Sequence, residues 1–191
     1  GHRRAGQIRY TVAVISFENL TGDPAFDYLQ RAIPNLLITS LERSELLRVI
    51  TWERMRDLLK QLGKDGVEVI DPDLGFEISR LEGVRAIIVG SVTKAGDTFA
   101  TDAKVLDVGT KSLVASSGAR GQGVSSILSG QVDELSRQIL EGLGMEDRHL
   151  AAVERPITEV TTTSLEAYEM FLRGKDFYER LYNADARRLL E

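Results

Sequence analysis

Three stretches of this chain carry residue types able to do chemistry. The first, "ENLTGD", places Glu18, Asn19, Thr21 and Asp23 within six residues, directly after an apolar run. In an open α/β sheet, a loop at the end of a central strand is a common place for a ligand, with side-chain oxygens and helix N–H groups converging there. The same residue types also serve a plainer purpose, because Asx and threonine side chains bond their own backbone and cap the helix that follows. Capping is the preferred reading of Asn19 and Asp23; ligand contact by Glu18, Asn19, Thr21 and Asp23 is the alternative. The second stretch, "GARGQG" over 118–123, would offer backbone N–H groups and the Arg120 guanidinium to an anion where a strand passes into a helix. It lacks the spacing of a dinucleotide fingerprint, so a flexible connection is the competing reading. The third, "GTKS" over 109–112, echoes the end of a phosphate loop. Lys104 stands where that motif needs its first glycine, and strands flank the segment on both sides, so it reads as a hairpin turn.

Composition closes most other routes. There is no cysteine, which removes disulfides, thiol nucleophiles and thiolate metal sites. The two histidines are His2, in what reads as a cloning remnant, and His149, in the charged segment "MEDRHLAA". An activated nucleophile needs a base within reach and zinc needs several nitrogen or sulfur ligands. His149 reads as a surface residue, and no catalytic, cofactor-binding or metal-binding residue is assigned. Acid-rich runs such as "EDRHL" and "KDGVEVIDPD" read as solvated loops. Twenty-nine acidic residues against 24 basic ones give a net charge of −5, which argues against nucleic acid as a partner. No apolar run approaches the length of about 18 residues that a membrane helix needs, so no direct membrane insertion is expected.

The elements that must position these stretches are legible in the hydropathy pattern. "YTVAVISF" (10–17) is apolar on both faces, as a buried central strand should be. Asp23 is placed to cap and Pro24 to open a helix, along which Phe26, Leu29, Ile33, Leu36, Leu37 and Leu41 recur at threes and fours. Pro34 interrupts that stripe and predicts a kink, or two shorter helices. "LLRVI" (46–50) predicts a second strand, "WERMRDLLKQLG" a helix ending at Gly63, and "PDLGFEISRLEG" a helix capped by Asp71. "VRAIIVG" (84–90) is a third strand, again apolar on both faces. Two turn signals, "KAGD" and "DVGTKS", then divide β-rich runs into an antiparallel meander. A helix follows, with Leu128, Val132, Leu135, Ile139 and Leu143 on one face. The fold class is therefore mixed α/β: a central mixed sheet with a β-meander and flanking helices, extended by a C-terminal helical tail.

The tail "LRGKDFYERLYNADARRLLE" places Gly174, Phe177, Ala186 and Leu190 at offsets of three, twelve and sixteen. That spacing resembles the tetratricopeptide repeat, in which small residues let two antiparallel helices approach and larger ones fill the groove between them. The remaining signature positions would fall past Glu191, so the chain would end inside a first repeat. The segments "AVISFENLTGDPAFDYLQRAIPNLLITSLERSELLRVI", "GVRAIIVGSVTKAGDTFATDAKVLDVGTKSLVASS" and "SLEAYEMFLRGKDFY" resemble the bacterial TolB-amino-terminal-like module, related to the FlgO and CsgG groups. Phe17, Asn19, Leu20, Gly22, Asp23 and Pro24 match its first loop, and Gly90, Ser91 and Val92 its later strand. Thr21 replaces the usual serine, and Pro34 falls where the family has an uninterrupted helix.

The resemblance implies a division into a tag or linker (1–9), a TolB-like α/β domain (10–147), a linker (148–163) and a truncated helical hairpin (164–191). It implies a non-catalytic sensing or scaffold module of a bacterial signalling protein, such as a serine/threonine kinase, an adenylate cyclase or a transcription regulator. The partner would be a protein or peptide, and no cofactor is expected. The apolar side of the tail, Phe171, Phe177, Leu181 and Leu189, would fold back on the domain or pair two copies into a homodimer. A nucleotide- or small-anion-binding regulatory domain using "ENLTGD" and "GARGQG" is one alternative; an envelope assembly subunit is another. Whether the domain stands outside or inside the cytoplasm would depend on what precedes Tyr10.

Overall fold

The apolar run beginning at Tyr10 forms the strand Tyr10–Asn19 (β1), and Val12 to Ile15 and Phe17 are sealed from solvent along it. The computed structural model describes residues 10–145 and 170. After β1 come a helix Leu29–Leu41 (α1), a strand Leu47–Ile50 (β2) and two helices, Trp52–Gln61 (α2) and Pro72–Glu82 (α3). Three ten-residue strands follow, Ala86–Ala95 (β3), Thr98–Asp107 (β4) and Leu113–Gln122 (β5), then the helix Val132–Gly142 (α4). The sheet order is β2-β1-β3-β4-β5. β1 pairs parallel with both β2 and β3, whereas β3, β4 and β5 form an antiparallel meander. The class is mixed α/β, as expected.

Handedness decides where the helices go. β2 and β3 lie on opposite sides of β1, so right-handed crossovers must carry α1 over one face and α2 with α3 over the other. α1 packs on β1 and against α4, which covers β4 and β5 on the same side; α3 packs on β1 and β3. Gly75 lets α3 lie close: a Cβ there would come 2.9 Å from Cγ2 of Ile15. Caps mark the helix starts that composition indicated. Thr51 Oγ1 accepts the N–H of Arg54, and Asp71 Oδ1 accepts that of Leu74. Gly83, with φ at +69°, closes α3 in the left-handed conformation that suits glycine.

Three expectations need correction. One helix, α1, passes through Pro34, and the break comes earlier: a short 3₁₀ turn over Pro24–Phe26 precedes it. Pro34 is buried with Leu29, Ala32, Ile33, Leu36, Leu37 and Leu41, and that packing outweighs the lost hydrogen bond. "GARGQG" is strand up to Gln122 rather than a connection, because β4 supplies antiparallel partners to its backbone; only Gly123 turns. "KDGVEVID" is irregular but not simply solvated, since Ile70 is fully buried. The expected "GTKS" turn is present: Asp107 Oδ1 accepts from the N–H and hydroxyl of Thr110, and Lys111 has φ of +60°. The segment "EDRHL", His149, the linker and the tail with Phe171, Phe177, Leu181 and Leu189 lie outside the described residues.

Candidate interaction site

Burial alternates along β4. Phe99, Thr101, Ala103 and Val105 are buried beneath α4, while Asp102 and Lys104 are exposed on the other face. A polar clamp holds α4 in place. Gln131 accepts the Thr101 hydroxyl at 2.8 Å and donates to the Phe99 carbonyl and to Ser126 Oγ. At the sheet edge, Gln138 bonds both the N–H and the C=O of Gly118 on β5, standing in for one residue of a sixth strand. Among the described residues, no helix covers the opposite face of β4 and β5 in this way. α3 packs chiefly against β1 and β3, its Phe76 ring meeting Lys111 in the β4–β5 turn, and Asp102, Lys104, Ser116, Gly118 and Arg120 are exposed.

Where the covered and open halves meet, a crevice of about 490 Å³ is lined by Ser16, Glu18, Asp71, Ser91, Asp102 and Lys104, with Val69, Ile70 and Val89 among its apolar walls. It continues into a shallower trough of about 660 Å³ that crosses Ser91, Asp102 and Lys104 to Ser116, Gly118 and Gln138. Strand register explains the alignment, because Glu18 pairs with Ser91, Ser91 with Asp102, and Asp102 with Gly118. These four positions form one row across the sheet on one face. The apolar wall is anchored to β1 by Ser16, whose Oγ accepts the Ile70 N–H at 2.8 Å. A register irregularity between Val14 and Phe17 places Ser16 where it can do this.

The "ENLTGD" side chains divide between two roles. Asn19 Oδ1 accepts from the N–H and hydroxyl of Thr21, and its Nδ2 donates to the Asp23 carbonyl and to Asp27 Oδ1. Asp23 Oδ1 accepts the Ala25 N–H. Asn19, Thr21 and Asp23 therefore hold their own turn, and Phe26 beyond it meets the Phe99 ring edge-on at 5.1 Å. Glu18 alone among the four lines the crevice. Arg120 pairs with Ala100 on the edge strand, three strands from β1, or about 14 Å at ordinary strand spacing. The loop and the arginine do not form one pocket. Ser16, Ile70, Ser91, Asp102 and Lys104 are the site residues that sequence reasoning missed. The alternation in "TDAKV" marks Asp102 and Lys104 as co-facial, but nothing local tells which face stays open.

Fold and surface together define a mixed α/β module in which, among the described residues, one face of the β4–β5 half of the sheet carries no helix. No protein-family model matches the chain. It is similar to a protein of Rhizobium meliloti (strain 1021) named "Putative adenylate cyclase 3", at 29% identity over 184 residues, covering 94% of this chain and 29% of that protein. The chain thus spans less than a third of the length of the curated relative it matches. Among solved structures it is similar to the lipoprotein GNA1162 from Neisseria meningitidis, with TM-score 0.50 and 16% identity, covering 71% of this chain and 96% of that one. It is also similar to TolB from Acinetobacter baumannii, with TM-score 0.46 and 14% identity, covering 71% of this chain and 28% of that one. At these identities the likeness speaks of fold alone, and it is the fold of the lipoprotein GNA1162 that this chain resembles.

Proposed function

We propose that this chain is a non-catalytic recognition module of a bacterial signalling protein, binding a protein or peptide partner. One observation carries the reading: among the described residues no helix covers the face of β4 and β5 opposite α4, and a continuous trough crosses it to the wall of α3. A platform of rigid strands with small and charged side chains is what a recognition surface needs. The most reactive-looking loop supports the same view, since Asn19, Thr21 and Asp23 are spent on its own turn.

The name of the Rhizobium relative supports a place beside a nucleotide-cyclising output domain, which this chain would regulate rather than contain. Its alignment leaves at most about a dozen residues of this chain unmatched, so it runs into the tail. Within this proposal 164–191 is the start of a tetratricopeptide hairpin, a reading that rests on the spacing of Gly174, Phe177, Ala186 and Leu190. Its apolar residues Phe171, Phe177, Leu181 and Leu189 would pair two copies, and light scattering should then return twice the monomer mass. The module itself should show no turnover of nucleotides, esters or peptides above a heat-unfolded control. A reaction that vanishes when one polar side chain is neutralised would overturn the reading.

A further inference from the structure

The crevice over Ser91 has a charge pattern that selects among partners. Glu18 and Asp102 flank Ser91 in the same cross-strand row, with Asp71 at the rim and Lys104 two residues along β4. Two strand spacings separate the Glu18 and Asp102 backbones, about 10 Å, which puts a point above Ser91 within about 5 Å of each. Among the described residues neither carboxylate takes a hydrogen bond or ion pair, although Arg137, Arg54 and Lys64 elsewhere on the surface all have acidic partners. Three carboxylates against one ammonium leave the crevice net negative, beside the apolar Val69 and Val89.

Shape then distinguishes a polypeptide from a small cation. The crevice is not closed: it runs on through Ser91 and Asp102 across Ser116 and Gly118 to the sheet edge. Serine and glycine on that floor let a backbone lie close to the strands. We propose that this groove docks an extended polypeptide segment bearing one arginine or lysine, whose cationic head sits over Ser91 between the carboxylates of Glu18 and Asp102. An apolar residue beside that cation would rest against Val69 and Val89. The proposal rests on the recognition reading above and adds the chemistry of the partner.

The test uses the whole chain, labelled with nitrogen-15. The probe is a capped heptapeptide with one central arginine flanked by valines and serines; matched peptides carry glutamine or glutamate instead. Saturable amide shifts at Ser91, Asp102, Lys104 and Gly118 are expected with the arginine peptide and none with the glutamate one. Glu18→Gln or Asp102→Asn alone should weaken binding about three- to fivefold, as loss of one exposed charge pair does. The double variant should weaken it more than tenfold, and raising the salt should weaken it as well. Equal binding of the arginine and glutamine peptides would overturn the proposal, as would no saturable shift up to millimolar peptide. Groove shifts that track protein concentration without peptide would mean a second copy fills it, and would also overturn it. Arginine-peptide shifts mapping to another surface would sink the groove while leaving the recognition reading standing; a turnover reaction would remove that reading instead.

Discussion

Ser16 Oγ accepts the backbone N–H of Ile70 at 2.8 Å, joining positions 54 residues apart. This bond fixes the loop before α3 onto β1 and so builds one wall of the crevice. Both groups are buried, so the N–H has no water to fall back on.

Ser16→Ala should therefore destabilise the fold by about 1–3 kcal/mol, the cost of stranding a buried donor. Urea unfolding measures the loss. Native-state hydrogen exchange should show the Ile70 amide losing protection before its neighbours in β1.

Gln131 is the second dependency. Its side chain meets the Thr101 hydroxyl, the Phe99 carbonyl and Ser126 Oγ, and both it and Thr101 are buried. Gln131→Ala should cost about 1–3 kcal/mol in denaturant unfolding. Adding Thr101→Val should recover part of that, because the orphaned hydroxyl goes with it; strictly additive losses would show that the pair does not act together.

Gly90 is where β3 accommodates the Phe17 ring. A Cβ there would fall 2.4 Å from Phe17 Cζ and from the Asp102 carbonyl oxygen. Gly90→Ala should destabilise by about 1–3 kcal/mol through overpacking, since the backbone on one side cannot yield. Amide shifts should appear on β4 around Asp102, which a merely local effect on β3 would leave in place.

Arg54 on α2 donates to Glu82 at the end of α3 at 2.7 Å, and that hydrogen bond, more than charge alone, lowers the Glu82 pKa below the ordinary glutamate range. A depressed carboxylate contributes stability that is present above its unfolded pKa and lost as pH falls through the folded one. Arg54→Met should raise the Glu82 midpoint in an NMR titration. The small stability difference between the two proteins should shrink toward zero as the solution is acidified past that midpoint, and shrink with added salt at neutral pH.

The turn at Asn19, Thr21 and Asp23 was legible locally because Asx and threonine oxygens bond groups two or three residues away. The caps at Thr51 and Asp71 are of the same kind. The assignment of 118–123 to a connection failed for the opposite reason. A glycine-rich stretch has little preference of its own, and pairing with β4 decided its state. Pro34 likewise stays within α1 because its neighbours bury a full face.

What the order of residues determined unaided is the class and sequence of elements: two strands apolar on both faces, amphipathic helices between them, and a meander of alternating strands. Those signals are periodic and short-ranged, so they survive without knowledge of the partners. The crevice needed the tertiary structure. Ser16, Ser91, Asp102 and Ile70 come from four separate segments, and only strand register and the reach of α3 bring them together. Which face of β4 stays open depends on where a helix ends in space, and no local pattern records that.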